Sequence, residues 1–205
     1  GNMTDSGVLT ITGTSSFTTS ANNATIVLNN TNALTGAVTI TTNDDSGTDA
    51  DVTIDNGTTA LILAASTIDG DLTLTSGHAS GITDSGTVTV GGNLAAATDA
   101  NNGVINLGTL AVDGTVALVT NGSGGATAVN DAGLNFAAST VGGNLVATAT
   151  TGNMTDSGAL AISGTSSFTT SANNATIALD TTTNAFTGAV TITTNDDSGT
   201  DAAAT

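Results

Sequence analysis

One short pattern recurs along the chain and sets the terms for its fold. Met3-Thr4-Asp5-Ser6-Gly7-Val8-Leu9-Thr10-Ile11-Thr12-Gly13 returns as Ile82-Thr83-Asp84-Ser85-Gly86-Thr87-Val88-Thr89-Val90-Gly91-Gly92, and again as Met154-Thr155-Asp156-Ser157-Gly158-Ala159-Leu160-Ala161-Ile162-Ser163-Gly164. Self-similarity of this kind takes precedence over any domain count based on length. Each copy reads as an apolar anchor, a Thr-Asp-Ser-Gly turn and a short strand. In that strand Leu9 and Ile11, Val88 and Val90, or Leu160 and Ile162 face one way while small side chains face the other.

The same two-residue period runs through the whole chain. Apolar pairs stand at Leu9/Ile11, Ile26/Leu28, Val38/Ile40, Val52/Ile54, Leu61/Leu63, Leu72/Leu74, Val88/Val90, Ile105/Leu107, Leu110/Val112, Val116/Leu118, Leu134/Phe136, Leu145/Ala147, Leu160/Ile162, Ile177/Leu179 and Val190/Ile192. Between them lie turn clusters such as Asn29-Asn30-Thr31-Asn32, Asn56-Gly57 and Asn121-Gly122-Ser123-Gly124-Gly125. No segment holds a helical period, so the chain is expected to be all-β. The pairs should point inward, with Val27, Ile62 and Val146 facing out.

Larger units follow from overlaying the copies. Residues 1–81 and 82–151 are related, and Gly152 to Thr205 repeats Gly1 to Thr53 almost letter for letter. The expected organisation is therefore one continuous array over 1–205, with units 1–81, 82–151 and a partial 152–205. Short strands and frequent turns suit either a parallel β-helix or a string of small β-sandwiches. Leu72, Leu94 and Val116 are evenly spaced and each follows Gly-x, which fits turns of roughly 20 residues with about three short strands. Sandwich cores lean on bulky aromatics, and this chain has four Phe and neither Trp nor Tyr. A parallel β-helix of about ten turns, roughly 50 Å long at about 4.8 Å per turn, is expected.

Charge narrows the function. The chain has no Lys or Arg, its acidic residues are all Asp, and its formal net charge is -17. Nucleic-acid binding rests largely on cations that neutralise phosphate, so it is not expected, and neither is attraction to anionic membranes. No apolar run reaches about 18 residues, so no membrane-spanning helix is expected. Cysteine is absent, which excludes disulfides and thiolate chemistry.

The Gly-Asn-Leu openings (Gly92-Asn93-Leu94, Gly143-Asn144-Leu145), the Thr-Asp-Ser-Gly turns and the Thr/Asn/Gly/Ala-rich strands resemble the repeat regions of filamentous haemagglutinin-like bacterial surface adhesins. The resemblance spans the entire chain and is one of composition and rhythm. It implies a long right-handed β-helical shaft exported to the bacterial cell surface. The secretion domain of that family has no counterpart in this sequence.

Several clusters bear on chemistry. Asp44, Asp45, Asp49 and Asp51 crowd one loop, and Asp196, Asp197 and Asp201 repeat the pattern. A hard cation such as Ca²⁺ takes six to eight oxygens, so these residues are the candidate metal ligands and calcium the candidate cofactor. Against them, Ala203 replaces Asp51 in the second copy and the EF-hand spacing is not met; solvated turn carboxylates are the alternative. His78 beside Gly77, with paired Asp residues, is faintly similar to β-helical pectin-degrading enzymes. Glycoside hydrolysis needs two carboxyls at a defined separation, and such enzymes also hold anionic sugars with cations this chain lacks. Thr-x-Thr runs at Thr10/Thr12, Thr39/Thr41, Thr73/Thr75, Thr87/Thr89 and Thr191/Thr193 resemble those of ice-binding proteins, but fall irregularly along the chain. Asn22-Asn23, Asn101-Asn102 and Asn173-Asn174 are expected in turns that tolerate left-handed backbone.

The expected function is a non-enzymatic extracellular shaft, serving as adhesin stalk, surface filament or matrix component. A polysaccharide-processing enzyme and an ice-binding protein are the alternatives. Expected partners are copies of itself or flanking repeats of a longer chain, stacked axially, and surface glycans or other cells. The sequence opens at the glycine matching Gly152 and stops inside a further copy, so the array is expected to extend or to stack end to end.

Overall fold

The computed structural model describes residues 1–43, 49–195 and 202–205. Among these there is no helix, and the strands stack as a parallel β-solenoid of about nine turns. At about 4.8 Å per turn this gives a rod of roughly 43 Å, slightly shorter than the ten turns expected.

Three stacked columns of strands form the wall. In the first, Met3, Ile26, Val52, Leu72, Leu94 and Val116 are successive register partners. In the second, Leu61, Ile82, Ile105, Ala126, Leu145, Ser166 and Val190 succeed one another. The third includes Ser66–Ile68 and Val88–Val90. Most turns carry three short strands. At the middle of the rod Leu94–Asn101 and Ile105–Val112 are long, and the second of them pairs with both Ile82–Asp84 and Val88–Val90 of the preceding turn.

Period-two patterning builds the core directly. Ile26, Val38, Ile54, Leu61, Leu72, Val88, Leu107, Val116 and Leu160 are all inaccessible to solvent, with Phe136 and Phe168 the largest side chains enclosed. Phe168 packs edge-on against Phe186, ring centres 5.6 Å apart at 72°. A fully buried aliphatic of this kind contributes about 1.5–3 kcal/mol. Parallel stacking supplies the backbone hydrogen bonds that such short strands cannot form alone. Val146 is exposed as expected, while Val27 and Ile62 face outward but are half-buried.

The end turns correct the expected core. Val190 and Ile192 are 42% and 48% exposed, and Leu9 and Ile11 are only partly buried. Their side chains lie at the inward register positions. Among the described residues, however, no strand stacks on Val190–Asn195 beyond its one partner, Ser166–Asn173. A solenoid core is sealed axially by the next turn, and no described strand takes that place over Val190 and Ile192.

Two inward serines have their hydroxyls satisfied within the wall. Ser66 Oγ donates to Ala64 O and accepts from the Ile40 N–H; Ser139 does the same with Ala137 and Leu118. Ser166 differs, because its buried hydroxyl has no partner. Ser166→Ala is expected to stabilise the protein by about 0.5–1.5 kcal/mol, since it removes an unsatisfied buried group without enlarging the side chain. A lowered urea midpoint for the variant would reject that reading.

Candidate functional site

Many of the polar residues singled out by the sequence lie at the turn edges, where they clamp one turn to another. In the Thr-Asp-Ser-Gly motif the two central residues bond in opposite directions. Asp84 accepts hydrogen bonds from the Gly108 N–H at 3.0 Å and from the Thr109 N–H and Oγ1 at 2.6 and 2.9 Å, all on the following turn. Ser85 donates its N–H and Oγ to Leu63 O on the preceding turn. In the third copy Asp156 accepts from the Thr181 N–H and from Asn184 Nδ2 at 2.6 Å, and Ser157 donates to Phe136 O. In the first, Asp5 accepts from the N–H groups of Asn29 and Asn30 and from Asn32 Nδ2. In the second and third copies the motif glycine allows close approach: a Cβ on Gly86 would press on the Ala65 backbone, and one on Gly158 would strike that of Ala138.

Burial alone would raise the Asp5 pKa. The donors from Asn32, Asn30 and Asn29 together outweigh it and hold the carboxyl below its ordinary value of 3.8. A pKa depressed by folding stabilises the fold fully above the unfolded value, and that contribution is lost as pH falls through the folded one. Acidification below about pH 3.8 is thus expected to destabilise the wild type more than Asp5→Asn, as read from urea unfolding at neutral and acid pH. Equal losses in both proteins would reject the clamp.

The Gly-Asn-Leu openings form a second line of clamps. Asp51 accepts from the Asp71 N–H, Asp71 from the Asn93 N–H and Nδ2, and Asn93 from the Thr115 N–H and Oγ1, so each turn is tied to the next. Asn144 accepts likewise from the Thr165 N–H. The adjacent Asn pairs do occupy left-handed turns, with φ of 59° at Asn23, 63° at Asn102 and 63° at Asn174. They also stack one turn on: Asn43 Nδ2 donates to Asn22 Oδ1, and Asn195 Nδ2 to Asn173 Oδ1, each at 2.7 Å.

Four clamps escaped the sequence-based expectations. Asn32, Asn56, Asn130 and Asn184 turn inward at corners, where each carbonyl oxygen accepts a backbone N–H of the preceding turn at 2.8 Å. Asn32, Asn56 and Asn130 are buried. The visible signal was an Asn a few residues before an apolar strand, which is indistinguishable from ordinary turn chemistry until the stacking partner is known.

The acidic candidates divide. Asp44, Asp45, Asp196, Asp197 and Asp201 lie outside the described residues. Asp51 is engaged by the Asp71 N–H, and its own N–H bonds to Asp49 O. Among the described residues no three His, Cys, Asp or Glu side chains come together as a metal site. His78 sits in an exposed loop, where its Nδ1 accepts from the Ser80 N–H. One shallow cleft holds two carboxylates, Asp55 and Asp99, on either side of Gly77 and beside Thr58 and Thr59. Asp55 already accepts from the Gly57 N–H at 2.8 Å. Among the described residues no helix is long and apolar enough to cross a membrane.

Register also aligns some outward side chains, of which only Thr191 and Thr193 belong to the Thr-x-Thr runs. Thr148, Thr169 and Thr193 are consecutive partners in one outward column, and Val146, Ser167 and Thr191 form the next.

No curated protein and no solved structure matches the chain. A family of repeats does, over residues 1–41, 49–107 and 124–193, which takes in most of the sequence and all three copies of the Thr-Asp-Ser-Gly motif. The chain therefore belongs to the DUF5649 family, described as repeats of unknown function.

Proposed function

We propose that this protein is a non-enzymatic structural shaft, a segment of an extracellular fibre or bacterial surface adhesin that associates axially with copies of itself. The observation that carries this reading is the use of the motif carboxylates: Asp5, Asp84 and Asp156 are each consumed in holding neighbouring turns together. Groups arranged this way serve stacking. The high negative charge without cations favours solubility and keeps rods apart side by side.

Axial association is supported by the duplicated sequence. Val190-Thr191-Ile192-Thr193 repeats Val38-Thr39-Ile40-Thr41, and in the earlier copy Val38 and Ile40 are fully buried beneath a further turn. The later copy exposes the same side chains, so a second molecule that covers them recovers burial of a kind the fold already uses. Open strand edges favour such pairing. Negative-stain microscopy and light scattering of the purified chain should reveal rods longer than one molecule. Val190→Asp with Ile192→Asp should return them to monomers. A wild-type monomer at every concentration would overturn axial association, and turnover of plant or microbial glycans would overturn the non-enzymatic reading.

A second reading, ice binding, is favoured by the hydroxyl column Thr148, Thr169 and Thr193. Thermal hysteresis of the purified protein tests it; without hysteresis the column is an ordinary solvated sheet face.

A further inference from the structure

Three Asn-Gly pairs occur in the chain, Asn56-Gly57, Asn102-Gly103 and Asn121-Gly122. The fold places them in three different chemical situations. Asn56 is fully buried: its Oδ1 accepts from the Leu34 N–H, and its Nδ2 donates to the carbonyls of Leu34, Thr59 and Ala60. Asn102 is exposed and its Oδ1 accepts from the Ser123 N–H and Oγ, but the following N–H, that of Gly103, is held by Ala100 O at 3.1 Å. Asn121 is exposed, and its side chain is held through Nδ2, which donates to Thr98 O at 2.9 Å. The Gly122 N–H takes part in none of the hydrogen bonds that close this loop, and Gly122, at a left-handed φ of 62°, carries no side chain to shield its nitrogen.

We infer that Asn121 is a site of spontaneous covalent modification, deamidation through a cyclic imide, and the point at which this rod ages. The Gly122 nitrogen attacks Asn121 Cγ. A new C–N bond closes the five-membered succinimide, and the side-chain nitrogen leaves as ammonia. Water then opens the ring at one carbonyl or the other, which gives aspartate or isoaspartate. No oxidant or reductant is required, and water is the only co-reactant.

Both products damage the stack at the same place. Asn121 O accepts from the N–H groups of Asn102 and Gly124, and Asn121 Nδ2 reaches Thr98 O, so this residue joins two turns through backbone and side chain together. A carboxylate cannot donate, and its oxygen would face the Thr98 carbonyl as a second acceptor. Isoaspartate adds a carbon to the main chain and displaces the carbonyl that two donors require. At the matching position of the flanking units stand Asn43 and Asn195, which stack on Asn22 and Asn173 as Asn121 does on Asn101; they are followed in sequence by Asp44 and Asp196, whose side chains hinder ring closure. The weak point is therefore confined to the middle unit.

The test is prolonged incubation of the intact folded protein at mildly alkaline pH, with a parallel sample unfolded in urea. Products are located by fragmentation of the whole chain in a mass spectrometer, because a chain without Lys or Arg gives trypsin nowhere to cut. In the folded protein the gain of one mass unit should appear first at Asn121. Asn102 should follow, and Asn56 should convert on the order of a hundredfold more slowly, because its reaction waits on local opening. In urea the three pairs should react at similar rates. Folded-state conversion at Asn56 or Asn102 ahead of Asn121, or no difference between folded and unfolded samples, would overturn the assignment.

Discussion

Replacing Asn56 with alanine is expected to destabilise the protein by about 3–5 kcal/mol, although the residue lies in what the sequence presents as a simple Asn-Gly turn. Its side chain is fully buried and does the work of a missing stretch of strand. The Leu34 N–H at 2.8 Å and the Leu34 carbonyl at 3.1 Å both end on its amide, as do the carbonyls of Thr59 and Ala60. Alanine leaves the Leu34 N–H and carbonyl and the Ala60 carbonyl without this partner, whereas Thr59 O keeps the Ser76 hydroxyl; each buried unsatisfied group costs about 1–3 kcal/mol. Leu34 is itself fully buried, so water cannot enter without opening the turn. Urea unfolding followed by circular dichroism measures the loss. Asn93→Ala, which removes an acceptor on an exposed edge, should cost less than about 1 kcal/mol. Equal effects at Asn56 and Asn93 would mean that the inward amide is dispensable.

Phe136→Ala should be comparably damaging, at about 3–5 kcal/mol. Phe136 is completely enclosed, with Val116 and Asp156 as its register partners on the adjacent turns. Turns above and below are tied by backbone hydrogen bonds at fixed spacing, so the wall cannot collapse into the space that alanine leaves. Phe136→Leu retains most of the volume and should cost less than about 1.5 kcal/mol. Phe17 provides an internal comparison, because it is only partly buried and packs at the end of the core. Phe17→Ala should therefore lose clearly less than Phe136→Ala, and a reversal of that order would show that enclosure by stacked turns is not what gives Phe136 its weight.

The repeat motif shows how far the sequence could be read. Period-two pairs such as Ile26/Leu28 and Leu72/Leu74 declared both the strands and their buried face, because side chains alternate on any extended backbone. Left-handed turns at Asn23, Asn102 and Asn174 were legible for a similarly local reason. Asp84 and Asp156 were visible as turn residues, yet their acceptor role was not, since Gly108, Thr109 and Asn184 stand a whole turn away. Val190 and Ile192 have the same local pattern as Val38 and Ile40 and the opposite exposure. Nothing within the strand separates the two cases; the difference is whether another turn lies on top.

An all-β chain, short amphipathic strands and repeating units all follow from residue order alone. These properties depend on covalent neighbours and on the conformational preferences of Gly, Asn and the β-branched residues. Only the tertiary structure decided which polar side chain clamps which turn, which Asn turns inward and where outward hydroxyls align. Those contacts join residues about one turn apart, and turns differ in length: Ile26 lies over Met3, Val52 over Ile26 and Leu72 over Val52 at unequal steps along the chain. Each loop length shifts the register of everything stacked on it, so partners become fixed only when the whole column is assembled.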